Sequence, residues 1–95
     1  MKKYEIMYIL LAELSEEERK AEMESVHNVI VNNGGKVEKI DTEKFGLREF
    51  AYPIKDLHKG FYVIIDVEAD TAILAEFDRL TKLNNRVLRH IIIAK

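Results

Sequence analysis

Cysteine is absent from this chain, and proline occurs once, at Pro53. Without a thiol there is no disulfide scaffold, no Cys-based zinc module, no iron–sulfur cluster and no thiol nucleophile. Long apolar runs are missing too. The longest, Ile6 to Ala12, is seven residues, against the roughly 20 that cross a bilayer as a helix. No repeat, low-complexity block or Pro/Gly/Ser linker divides the 95 residues, which suit a single domain, 1–95, able to bury a core without staples. Lys2 and Lys3 ahead of an apolar stretch look like the start of a secretory signal. Glu5 interrupts that stretch, however, Glu13 follows it and no small-residue cleavage site appears, so the expected location is the cytoplasm, with no membrane association.

Charge of either sign is scarce in the sum and abundant locally. The formal net charge is −2, which by itself argues against a nucleic-acid partner, but a sum carries no information about placement. Ser15 to Asn33 holds Glu16, Glu17, Glu18, Glu22 and Glu24 against Arg19 and Lys20 alone. Asn84 to Lys95 holds Arg86, Arg89 and Lys95 with no acid at all.

Tyr4, Ile6, Tyr8 and Leu10 alternate with Lys3, Glu5, Met7 and Ile9, the two-residue period of a strand with one wholly apolar face. Ser15 and Glu18 have capping-box spacing, and Met23, Val26 and Ile30 follow at three- and four-residue steps, so a helix is expected over Glu16 to Asn32. Asn33-Gly34-Gly35 suits its stop. Val37 to Leu47 mixes β-branched and charged residues, as an edge strand does. Phe61, Val63, Ile65 and Val67 form a second fully apolar strand face. Asp70 caps a second helix carrying Ile73, Leu74, Phe77 and Leu80, ended by Asn84-Asn85, and Val87 to Ile93 forms a last strand.

This order predicts an α+β, ferredoxin-like βαββαβ fold: a four-stranded antiparallel sheet with strands one and three central and both helices on one face. The other face is then bare. It would carry Met7, Ile9, Tyr62 and Ile64, a contiguous apolar patch of the kind that marks an interaction surface. With Arg89 facing outward, Ile91 and Ile93 enlarge the patch, while Leu88, His90 and Ile92 turn toward the helices, where His90 needs a hydrogen-bond partner.

Chemical signatures are thin. His27, His58 and His90 sit on different elements without ligand spacing, so no metal is expected. Ser15 is explained as a cap, and neither it nor Ser25 lies in a Gly-x-Ser-x-Gly turn. The acids of Glu16 to Glu18 complement a helix dipole. Gly34-Gly35 lacks the rest of a phosphate-cradling loop. An acylphosphatase of this fold would hold its anion loop near Ala12 to Ser15, where this chain has an acid. Lys59-Gly60-Phe61 begins like an RNA-recognition-motif signature but fails at Tyr62, and Phe61 falls on the helix side, where it cannot stack on a base. No catalytic constellation and no cofactor site emerges.

The most distinctive string is Gly46-Leu47-Arg48-Glu49-Phe50-Ala51-Tyr52-Pro53-Ile54, followed by Lys59-Gly60-Phe61-Tyr62. Proline makes Tyr52-Pro53-Ile54 a rigid extended exit from strand two. With Lys3-Tyr4-Glu5-Ile6-Met7-Tyr8-Ile9-Leu10, Gly34-Gly35-Lys36-Val37 and Val87-Leu88-Arg89-His90, the chain resembles the bacterial small-subunit ribosomal protein six family from end to end. The resemblance implies a structural constituent of the small ribosomal subunit that binds the central domain of 16S ribosomal RNA as a heterodimer with small-subunit ribosomal protein eighteen, the isolated chain being monomeric. It also implies that Arg48, Tyr52, Tyr62 and Ile64, beside Met7 and Ile9, face the protein partner, and that Lys2, Lys3, Arg86 and Arg89 form a basic edge toward RNA. Glu49, Ile64 and Leu88 depart from residues seen in relatives. The competing expectation is a ferredoxin-like homodimer, small-molecule-binding or enzymatic, whose bare faces bury each other.

Overall fold

The computed structural model describes the backbone of all residues except Lys55 and Asp56; the side chains of Lys44, Phe45, Ala51, Tyr52 and Ile54 also lie outside the description. Its elements run β1 (Lys2–Leu11), α1 (Glu16–Asn32), β2 (Lys36–Ile54), β3 (Leu57–Ala69), α2 (Thr71–Leu83) and β4 (Val87–Ala94). The strands form one antiparallel sheet in the order β2-β3-β1-β4, so β1 and β3 are central as expected.

Local chemistry explains where the helices begin and end. Ser15 Oγ accepts from the Glu18 N–H at 3.2 Å and Glu18 Oε1 accepts from the Ser15 N–H at 3.0 Å, a complete capping box that satisfies amides the first turn leaves unpaired. Gly34 takes φ +95°, a left-handed conformation that costs glycine little. The Gly34 N–H then reaches Val31 C=O at 3.1 Å and the Gly35 N–H reaches Ile30 C=O at 2.9 Å, the paired reverse bonds of a Schellman stop. A Cβ on Gly35 would meet Ile30 Cγ2 at 2.7 Å, so the chain can turn tightly under α1 only with glycine there. Asp70 Oδ1 accepts from the Ile73 N–H at 2.9 Å and starts α2.

The core lies between the helices and one sheet face. Ile6, Tyr8, Leu10, Val63, Ile65 and Val67 from the sheet meet Val26, Ile30, Ile73 and Phe77 from the helices. Each such side chain contributes about 1.5–3 kcal/mol on burial. Val87 joins this core opposite Leu10. A register shift between Ile9 and Leu10 then leaves Leu88 buried outside the core cluster, which corrects the expectation that Leu88 faces the helices beside Ile92.

β2 is longer than the expected Val37 to Leu47. Its pairing with β3 breaks between Val37 and Lys39, Asp41 and Gly46, and Glu49 and Ile54, then resumes at Ile54 opposite Leu57. Pro53, expected as an exit from the strand, falls inside the last irregularity, where its missing N–H removes no ladder bond. Asp41 Oδ1 accepts the Glu43 N–H at 3.0 Å at the start of the middle one, and Gly46, φ +55°, closes it.

Candidate functional site

The face of the sheet turned away from the helices forms the candidate site, and pairing fixes its rows. Arg89, Ile9, Tyr62 and Gly46 lie side by side across β4, β1, β3 and β2; Ile91, Met7, Ile64 and Asp41 form the next row, and Ile93, Glu5, Asp66 and Lys39 the third. Met7, Tyr62 and Ile64 are half-buried, while Ile91 and Ile93 are 44% and 52% exposed. A shallow depression of about 160 Å³ opens among Met7, Ile9, Tyr62, Arg89, His90 and Ile91. Toward β2 the face turns polar: Glu5, Lys39 and Asp66 of the third row, with Asp41 and Ile64 of the second, line a separate hollow of about 130 Å³, and Lys95 Nζ binds Asp66 Oδ1 at 2.8 Å. Hydrogen bonding to Asp66 is the leading cause of the rise of the Lys95 pKa above its ordinary value.

One expectation for this face fails. Ile9 is only 4% exposed, because the ring of Phe50 crosses from β2 over Gly60 and covers it. A Cβ on Gly60 would collide with Ile9 and lie 2.6 Å from Phe50 Cζ. Phe50 also meets Tyr62 edge-on, ring centroids 6.3 Å apart. The sequence contained the signal, a strand glycine that an aromatic on the adjacent strand can roof. The register that brings Phe50 to Gly60 depends on the irregularity of β2, which alternation alone does not reveal. Arg48 pairs opposite Gly60 on this same face and is exposed. The Tyr52 side chain lies outside the described residues.

The four basic residues do not form one edge. Lys3 shares the open face with Arg89 but sits six positions along β1 from Arg89's partner Ile9, roughly 20 Å away at strand rise. Lys2 takes the opposite side of β1, and Lys3 Nζ lies 3.9 Å from Glu38 Oε2. Arg86 belongs with α1: its guanidinium reaches Glu22 Oε1 at 3.3 Å and Glu18 Oε2 at 3.4 Å. Glu22 also accepts from Asn84 Nδ2 at 2.8 Å. The Glu18 pKa is lowered chiefly by its hydrogen bonds with Ser15, with a smaller contribution from Arg86.

The histidines resolve as structural groups. His90 does face α2, and its Nε2 lies 2.6 Å from Asp78 Oδ1 and its ring edge-on to Phe77. Hydrogen bonds from Lys82 first and His90 second lower the Asp78 pKa. His27 is buried with Nε2 2.7 Å from the Tyr8 hydroxyl. Burial pushes His27 down to about 4 and Tyr8 well up, so two neutral groups share that bond. Among the described residues no group of three or more His, Cys, Asp or Glu could hold a metal. Where an acylphosphatase would bind its anion, Leu11, Ala12 and Glu13 line an apolar hollow of about 270 Å³ with Leu57, His58 and Lys59. A carboxylate at that rim repels an anion. Phe61 packs against the core with the Arg19 guanidinium 4.1 Å above its ring, so it stays unavailable for base stacking.

The family model for ribosomal protein S6 matches residues 3–94. The chain belongs to that family. The 30S ribosomal protein S6 of Thermotoga maritima superposes with a TM-score of 0.88 and 30% identity, covering 99% of this chain and 87% of that one. The chain is accordingly a small-subunit ribosomal protein of the cytoplasmic ribosome, a structural constituent that binds ribosomal RNA and ribosomal proteins and not an enzyme. No described helix is long and apolar enough to cross a membrane.

Proposed function

We propose that the open sheet face docks small-subunit ribosomal protein eighteen and that the pair binds the central domain of 16S ribosomal RNA. The observation that carries this reading is the graded face: Ile9 buried under Phe50, a half-buried rim of Met7, Tyr62 and Ile64, and exposed Ile91 and Ile93 beside Arg89. A patch of this kind is poor at binding phosphate and good at binding protein. Arg48, exposed on the same face, extends the partner-facing set along β2.

Lys2 and Lys3 at one end of β1 and Arg89 at the other provide phosphate contacts on either side of the docked partner. Arg86 contributes indirectly, since Glu18 and Glu22 already hold its charge and it ties the start of α1 to the start of β4. With a net charge of −2, and with Lys2 and Lys3 at the opposite end of β1 from Arg89, this chain grips RNA weakly alone. A basic partner supplies the missing charge, and RNA binds a composite surface.

A gel-shift titration of a 16S central-domain fragment with this chain, with protein eighteen, and with both tests the reading. The expected result is tighter binding by the pair than by either protein. Equal binding with and without this chain would overturn it.

A further inference from the structure

On the reading that the open face docks a basic protein partner, we infer that the apolar hollow beyond Phe50 is a second anchor pocket for that partner, taking one large apolar side chain. Leu11 pairs opposite Gly60 and follows Ile9 by two residues, so it continues the open face past the Ile9 row. The ring of Phe50, standing over Gly60, divides that face. On one side lies the hollow of about 160 Å³ beside Met7 and Tyr62. On the other lies the larger one of about 270 Å³, lined by Leu11, Ala12, Glu13, Leu57, His58 and Lys59.

Size and lining select a side chain as the occupant. A pocket that encloses a free small molecule runs to roughly 300–1,000 Å³, above this volume. The walls come from the β1–α1 turn and the β2–β3 hairpin: Leu11 and Ala12 are half-buried, and Leu57 at the lip is 36% exposed. Glu13 and Lys59 stand exposed on the rim and offset each other, so the hollow has no net positive charge to draw a phosphate backbone. The Glu13 carboxylate instead suits a cationic residue beside the apolar anchor, as a basic partner carries.

The first hollow and its neighbours are too few to hold a partner by themselves. A stable interface takes about 20–30 residues from each side, and Met7, Tyr62, Ile64 and Ile91 make only the centre of one. The contact can grow in two directions along the strands. In one direction stand Glu5, Lys39 and Asp66, with Lys95 held on Asp66 at 2.8 Å, charged groups whose desolvation opposes burial. In the other lies the second apolar hollow, roughly 10 Å along β1 from the first. Two apolar anchors at that spacing straddle the Phe50 ring, which then fixes where the partner sits.

Calorimetry of protein eighteen against the full chain at fixed salt tests this with variants on both walls of the hollow. Leu57→Asp and Ala12→Phe should each weaken binding by roughly tenfold. Glu13→Lys, at an exposed turn position, should weaken it by roughly threefold, and an unchanged thermal midpoint of each free variant shows that it folds. If all three bind as wild type while Tyr62→Ala is weakened, the second pocket is overturned and the open-face reading stands. If Tyr62→Ala also binds as wild type, that reading falls with it. A Leu57→Asp chain that loses affinity for the 16S central-domain fragment but keeps its affinity for protein eighteen would give the hollow to RNA and overturn the inference.

Discussion

The ring of Phe50 lies across Gly60, 2.6 Å from where a Cβ would stand, and seals Ile9 beneath it. Gly60→Ala therefore has to lift Phe50 from the sheet. The expected outcome is an exposed Ile9, a Tyr62 ring without its edge contact, and a loss of about 1–3 kcal/mol in denaturant unfolding, the usual range for overpacking. Phe50→Ala should cost about as much by uncovering Ile9 and leaving Gly60 unroofed. If the two substitutions are combined, the losses should fall short of their sum, because both act on one contact.

The Tyr8 and His27 pair predicts a pH limb. His27 titrates near 4 in the folded chain, pushed down by burial, against about 6.5 when unfolded. Above pH 6.5 the ring is neutral in both states and its buried site is undisturbed. Between about 6.5 and 4 the unfolded state binds the extra proton, so stability falls as pH falls, by about 3 kcal/mol in all. Urea unfolding across that window should show the slope, and His27→Gln should flatten it. Tyr8→Phe should lower stability at pH 7 by about 1–3 kcal/mol by leaving the buried imidazole nitrogen without its partner.

Arg86 and Arg89 are near neighbours in the chain with opposite surroundings. Arg89→Ala should reduce the salt dependence of RNA binding by the protein pair by about one unit of slope. Arg86→Ala should leave that slope unchanged and lower the thermal midpoint instead, since it frees Glu18 and Glu22 from the bridge to β4. A filter-binding salt series on both variants separates the two roles.

Much of the fold was legible because its signals are local. The capping box at Ser15, the Asp70 cap, the glycine stop of α1 and the alternation in β1 and β3 each act within a few residues, and the structure places all of them as expected. What alternation could not show was where strands slip. The register shift at Ile9 and Leu10 decides that Val87, not Leu88, enters the core, and the irregularities of β2 decide that Phe50 roofs Gly60. The same limit applies to the basic residues. Lys3 and Arg89 share a face, but only the pairing register shows that they stand at opposite ends of it, and only the packing of α1 shows that Arg86 is held by carboxylates.

The central claim is that the open face binds the protein partner. Its most direct test is the affinity of protein eighteen for the wild-type chain and for Tyr62→Ala, measured by calorimetry at fixed salt. A buried aromatic anchor predicts a loss of about 1–3 kcal/mol, with the unfolding midpoint of the free chain little changed at this half-buried position. Tyr62→Ala binding at wild-type strength would contradict the account.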